Sequence, residues 1–190
     1  MILPLTPSQT IGPFFKSSLV RSGDEKLARR ESRGEQIVIG GRVLDGNGAP
    51  VDDAMVEIWQ ANADGRYDHP DDLQEKLIDP HFHGFGRTAT DQHGCFRFDT
   101  IKPGRVPGIG AVLQAPHINV SLFARGLLKR LVTRIYFPDE PSNASDALLN
   151  AVPIARRSTL IAQIESTSPR PTFRFDIVLQ TEDETVFFDV

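Results

Sequence analysis

The apolar residues of this chain come in short alternating runs cut apart by turn residues, and that pattern leaves few folds open. In IVIGGRVL, Ile37, Ile39, Gly41 and Val43 share one face of an extended strand. In AMVEIWQA, Val56 and Ile58 share one face, and Met55, Glu57 and Trp59 the other. Between them DGNGAP, Asp45 to Pro50, is a cluster of turn formers. GRTATDQHGCFRFDTI predicts a hairpin turning at DQHG, with Cys95, Arg97 and Asp99 alternating against Phe96, Phe98 and Thr100. HINVSLF, RLVTRIYF, STLIAQIE, TFRFDIVLQ and TVFFDV add further strand-like runs. One short helix is expected, in ASDALLNAV, where Ser142 or Asn143 can supply the N-cap. Short strands at near-regular spacing with Gly/Pro turns predict an all-β fold: two sheets, antiparallel or mixed, packed as a sandwich with long loops.

The 190 residues suit a single domain, 1–190, with a sizeable core. Residues 1–35 read as an extended N-terminal arm, punctuated by Pro4, Pro7 and Pro13, followed by a solvated loop in GDEKLARRESRGE. Ile11, Phe14 and Phe15 of the arm need burial, so it should lie on something apolar. Sandwiches leave strand edges, and the arm and the apolar tail TVFFDV are candidates to cover an edge or join a partner. A net charge of −4 with dispersed cations argues against nucleic acid as a partner. With one cysteine, Cys95, no internal disulfide can form, which favours a reducing compartment; nothing nearby marks its thiol as reactive. MILPLTPSQT lacks the features of a signal peptide, and no run approaches the roughly 20 apolar residues of a membrane span. A cytoplasmic protein is the expectation.

Two segments could carry chemistry. In APHINVSLFARG, Ile118, Val120, Leu122 and Ala124 make an apolar face, and His117, Asn119 and Ser121 the opposite one. A strand-borne metal pair is usually H-x-H; here the second member is Asn. A true H-x-H, His81-Phe82-His83, has Tyr67 and His69 nearby in sequence and could bind a transition metal. It lies between Pro80 and Gly84, where a surface loop is the plainer reading. Trp59 and Phe98 read as core residues.

EIWQANADGRYDH, FGRTATDQHGCFRFDTIKPG, APHINVSLFARG, TRIYF and the stretch from RFDI to ETVFFDV together resemble the intradiol ring-cleavage dioxygenases, with a match running from TPSQTIGPFF to the last residue. The resemblance implies a β-sandwich and a mononuclear non-haem Fe(III) held by two tyrosines and two histidines. Phenolate is a hard, anionic donor suited to the ferric ion. Of the family's ligand positions, Tyr67 in DGRYDH and His117 are kept, whereas Val106 in KPGRVP stands for the second tyrosine and Asn119 for the second histidine. Gln114 stands where the family has an arginine, and only two tyrosines exist, Tyr67 and Tyr136. Valine cannot ligate, and a neutral amide is a poor substitute for imidazole. The four positions therefore read as vestigial, with no metal, no cofactor and no catalytic residue on this chain.

The resemblance implies a role as well. Some members of the family are built from two homologous chains and cleave protocatechuate (3,4-dihydroxybenzoate) with O2 to 3-carboxy-cis,cis-muconate, a step of the β-ketoadipate pathway. Their beta chain carries the iron, and the other chain has an emptied site; this sequence resembles the emptied kind. That implies Fe(III) held by an obligate beta-chain partner, protocatechuate and O2 at a shared site, and Gly12, Pro13 and Arg134 as this chain's part of the pocket wall. An arginine suits the substrate carboxylate. Two other readings stand beside it: a stand-alone transthyretin-like β-sandwich binding module without catalysis, and a chain that binds its own metal through His81, His83 and Tyr67.

Overall fold

The computed structural model describes Gly12 and residues 14–108, 110 and 112–189. Two sheets face each other, as the alternation predicts. One is four-stranded and antiparallel, in the order β3 (Phe85–Ala89), β2 (Met55–Trp59), β5 (His117–Phe123), β6 (Leu131–Tyr136). The other is mixed, in the order β4 (Cys95–Ile101), β1 (Gln36–Leu44), β8 (Thr172–Arg174), β7 (Gln163–Ser166), with β9 (Ile177–Val178) also on β1. In it β1 runs antiparallel to β4 and parallel to β8 and β9. The inward residues of both sheets meet in one core: Ile37, Ile39, Val43, Phe96 and Phe98 from the mixed sheet, and Val56, Ile58, Ile118, Val120, Leu122 and Ile135 from the other. Among the described residues no helix is long and apolar enough to cross a membrane.

Several expectations are corrected. The turn at DQHG forms, with Gly94 N–H donating to the Asp91 carbonyl, but it does not make a hairpin: β3 pairs β2 and β4 pairs β1. The chain crosses there from one sheet to the other, and local alternation cannot distinguish this arch from a hairpin. STLIAQIE yields β7 only in part, because Ile154–Leu160 is a 3-10 helix. The helix α2 (Ala147–Ala151) is capped by Asp146, whose side chain accepts from Leu149 N; Ser142 and Asn143 lie in a separate 3-10 turn, Pro141–Ser145.

Residues 14–35 are not simply an extended arm and a solvated loop. A further helix, α1 (Phe14–Leu19), is docked by Lys16, whose ammonium donates to the carbonyls of Thr90 (2.7 Å) and Asp52 (2.9 Å). Ile11 and Pro13 lie outside the described residues, and Phe15 is half-buried. The charged run that follows is a strap. Leu27 N–H donates to the Asp99 carbonyl on β4, the Leu27 carbonyl accepts from His83 N–H, and the Asp24 carbonyl accepts from Arg87 N–H on β3. Both sandwich edges on this side are thereby covered. The Leu27 side chain is buried, and it lies where any side chain at Gly86 would stand, 2.4 Å from an added Cβ. The tail is likewise not a strand: it makes one bridge, Phe188 to Val132 on the outer edge of β6. Phe187 packs on the main core, and Val186 and Phe188 pack on a smaller cluster of Ala115, Tyr136, Leu149, Val152 and Leu160. The tail thus finds part of its burial within this chain.

Gly41 marks the tightest approach in the mixed sheet. An added Cβ would stand 1.9 Å from the Phe175 carbonyl oxygen, where the chain leaving β8 crosses β1. Backbone must move to admit it, and overpacking of this kind costs about 1–3 kcal/mol. Gly41→Ala should therefore lower the melting temperature by several degrees, roughly 2–4 °C per kcal/mol for a domain of this size. An unchanged thermal unfolding curve would show that the approach is not a constraint.

Candidate functional site

The outer face of the four-stranded sheet carries the site. Trp59, Asn119 and Arg134 are register neighbours across β2, β5 and β6, and so stand in a row; His117 faces Tyr136 in the next position along β5. Cross-strand neighbours sit about 5 Å apart, close enough for side chains to bond directly. Asn119 is the centre of the row. Its Nδ2 donates toward the Trp59 carbonyl (3.3 Å) and the Tyr67 hydroxyl (3.4 Å), and its Oδ1 accepts from Arg134 Nε (2.9 Å). Arg134 Nη1 donates to Gln114 Oε1 (2.7 Å). Gln114 in turn donates Nε2–H to the Pro107 carbonyl and its backbone N–H to the Val106 carbonyl, which ties the Val106 loop to the row.

Tyr67 reaches the same place from a loop. Its backbone N–H donates to Asp72 Oδ2 (2.8 Å), and its ring stacks on Trp59 at 5.6 Å between centroids and 15° between planes. Trp59 is thus a wall of the site, not the core residue expected; Phe98 is fully buried in the core. Burial raises the Tyr67 pKa; the Asn119 bond and the Arg134 charge partly oppose this, and the Asp72 carboxylate adds to it. The phenol is therefore neutral near pH 7. Trp59, Tyr67, His69, Leu73, Val106 and Pro107 line a cavity of about 860 Å³ over the site.

His117 is 3% exposed. Its Nδ1 lies 2.8 Å from the Ala115 carbonyl, which can only accept, so Nδ1 carries the hydrogen and Nε2 a lone pair. That Nε2 is buried and has no hydrogen-bond partner. Burial first, and the Arg134 charge second, push its pKa down to about 4, against weaker opposing effects of Ala115 and Asp146. The tyrosine opposite, Tyr136, donates to Asp146 Oδ1 (3.1 Å), and its pKa is pushed up to about 12, chiefly by burial. Asp146 is itself fully buried and also accepts from Ala115 N–H (2.8 Å) and Leu149 N–H (2.9 Å).

The structure brings together Tyr67, Asn119, Arg134 and Gln114 by direct or shared bonds, with Val106 and His117 beside them. Gly12 is exposed, with nothing within 4 Å of an added Cβ. Tested as a holder for the ferric ion, the group does not fit. His117 Nε2 has a lone pair to offer, but Val106 presents only methyl groups, and the Asn119 oxygen is already taken by a cation, Arg134. At His81-Phe82-His83, the Phe82 ring is buried and the residue bridges Ala28, with His81 half-buried and His83 exposed. Among the described residues, no cluster of three or more His, Cys, Asp or Glu side chains could hold a metal ion. Sequence reasoning missed the Trp59–Tyr67 stack, the Asp72 anchor and the Gln114–Arg134 bond. The last has no sequence signal, because it depends on the register that sets Asn119 opposite Arg134 and on the loop that returns Gln114 to the sheet.

A family model described as dioxygenase matches residues 11–181. The chain is 43% identical to the protocatechuate 3,4-dioxygenase alpha chain of Pseudomonas putida, over 99% of this chain and 98% of that one. It is 40% identical to the protocatechuate 3,4-dioxygenase beta chain of Burkholderia cepacia, over 96% of this chain and 78% of that one. Among solved structures, the dioxygenase domain of a carbohydrate-binding fusion protein from Streptomyces sp. SirexAA-E superposes with a TM-score of 0.65 at 30% identity, covering 93% of this chain and 98% of that one.

His117 makes a pH prediction. Folded, it stays neutral down to about pH 4, whereas the unfolded chain binds this proton near 6.5. The folded state is then fully favoured above pH 6.5 and loses stability as pH falls from 6.5 toward 4. A shift of that size is worth at most about 3 kcal/mol. Denaturant unfolding at pH 7 and pH 4.5 should show a smaller acid loss for His117→Asn than for the native chain. Parallel losses would rule out a neutral buried imidazole.

Proposed function

As the chain belongs to the intradiol dioxygenase family, we propose that it is the iron-free alpha-type subunit of a two-chain enzyme that cleaves protocatechuate with O2 between its two hydroxyl-bearing carbons. Both oxygen atoms are retained in the product, 3-carboxy-cis,cis-muconate. Enzymes of this family are non-haem iron proteins; here the iron belongs to a homologous beta chain, and this chain supplies part of the pocket wall as one domain. The observation that carries the reading is a full-length match to chains named alpha, combined with Val106 and Asn119 where ligands would be needed. Exposed apolar side chains support an interface: Leu73 is 88% exposed at the cavity mouth, with Leu77 and Ile78 beyond it. Obligate interfaces bury such surface over more than roughly 2,000 Å².

Purification of the chain alone and after co-expression with a homologous beta chain tests this. The chain alone should carry no stoichiometric iron and take up no O2 with protocatechuate; the co-purified pair should do both. A monodisperse chain that ignores the beta chain would instead favour a stand-alone transthyretin-like binding module.

Gly12, Pro13 and Arg134 are this chain's contribution to the shared pocket in the proposal. Arg134 lines a cavity of about 430 Å³ with Val112, Leu113 and Leu148, and its guanidinium is already oriented by Asn119 and Gln114. A hydrogen bond to a charged group is worth about 1.5–3 kcal/mol. Arg134→Ala in the paired enzyme should therefore raise KM for protocatechuate by roughly ten-fold or more, with iron content unchanged and KM for catechol, which lacks the carboxylate, hardly moved. Equal losses for both substrates would remove Arg134 from the pocket wall.

A further inference from the structure

The cation at the emptied site is part of the chain itself. Arg134 Nε lies 2.9 Å from Asn119 Oδ1, and Nη1 lies 2.7 Å from Gln114 Oε1. Both acceptors are neutral amide oxygens, and both residues stand where the chain departs from the family pattern. The same Asn119 amide donates toward the Tyr67 hydroxyl. The guanidinium thus occupies the ligand shell at second hand: what a metal would draw together through bonds, Arg134 draws together through Asn119.

We propose that the guanidinium of Arg134 is the resident cation of the emptied site, and that it excludes a metal independently of the missing ligands. Resting on the reading that this chain has lost its iron, the proposal goes a step beyond it: replacing Val106 and Asn119 by ligating residues will not by itself readmit iron. An imidazole at position 119 would leave the Arg134 side chain with one acceptor fewer and unchanged charge, across the strand from the new ligand. A trivalent cation entering there meets three times the repulsion that a unit charge would. Losing the positive charge is then as necessary as regaining the ligands.

The experiment compares five full-length chains, each checked for cooperative thermal unfolding and expressed with iron in the medium. Bound iron is read by elemental analysis and by the visible absorption of an iron–phenolate pair. The native chain should be empty; near-stoichiometric iron in it with an iron–phenolate band would overturn both the reading of an iron-free subunit and the role of Arg134, whereas the outcomes of the other four bear on Arg134 alone. V106Y/N119H should hold no more than about a tenth of an iron per chain. Adding Arg134→Gln, which removes the charge and keeps an amide able to hydrogen-bond, should raise this at least about ten-fold. Arg134→Met does the same where the glutamine variant fails to unfold cooperatively. Adding Arg134→Lys should leave the chain as empty as V106Y/N119H, because the charge is kept. The proposal is overturned if V106Y/N119H binds iron near stoichiometrically with Arg134 intact, if the folded neutral variants stay empty, or if the lysine variant fills as the glutamine variant does.

Discussion

Strand β5 has one face in the core and the other in the site, and its pleat locks the two together. Ile118, Val120 and Leu122 are buried between the sheets, and a slip of one residue would drive them out to the site face. The register against β2 and β6 is therefore held by apolar burial, each such side chain contributing about 1.5–3 kcal/mol. That register alone sets Asn119 between Trp59 and Arg134, and His117 against Tyr136. The site face can change its chemistry without disturbing the fold, because its geometry is fixed from the other side of the strand.

A second constraint acts at the strand's entrance. The Asp146 carboxylate is fully buried and accepts from Leu149 N–H, Ala115 N–H and the Tyr136 hydroxyl. One side chain thus caps α2, holds the backbone two residues before His117, and fixes the ring against which the imidazole packs at 5.9 Å. Buried carboxylates persist only when their lone pairs are used, and removal of one partner leaves the others unsatisfied. The His117 ring is therefore held in its orientation by the Ala115 carbonyl and by this packing.

The fold was legible because alternation is a local property that records burial: the core faces of β1, β2, β4 and β5 all follow from the period-2 pattern. What alternation does not record is which sheet a strand joins, so β3 and β4 read as a hairpin although they belong to different sheets. Leu27 was hidden for another reason: it is the one large apolar residue in a charged run, and its niche exists only because Gly86, 59 positions later, has no side chain. In the site, Tyr67, Val106, His117 and Asn119 were each singled out by motifs that carry their own sequence context. Arg134 and Gln114 were each visible, but their bond was not, since it depends on the β5–β6 register and on the loop that returns Gln114 to the sheet. Asp146 could have been found from its place immediately before ALLNA, where a helix of one turn needs a cap.

The site draws on two loops and the sheet, and hydrogen bonds and packing hold the three segments together. The Tyr67 loop is pinned by Asp72 at its backbone and by Trp59 at its ring. The Val106 loop is pinned by Gln114, and the two loops meet where Gly104 N–H donates to the Asn62 carbonyl and Gly65 passes so close to the Arg105 carbonyl that no side chain would fit. Arg134 joins Gln114 on one loop to Asn119 on the sheet, and Asn119 reaches Tyr67 on the other. The two loops and the sheet are thus connected through one guanidinium and two amides, a network that fixes their relative positions through side chains alone.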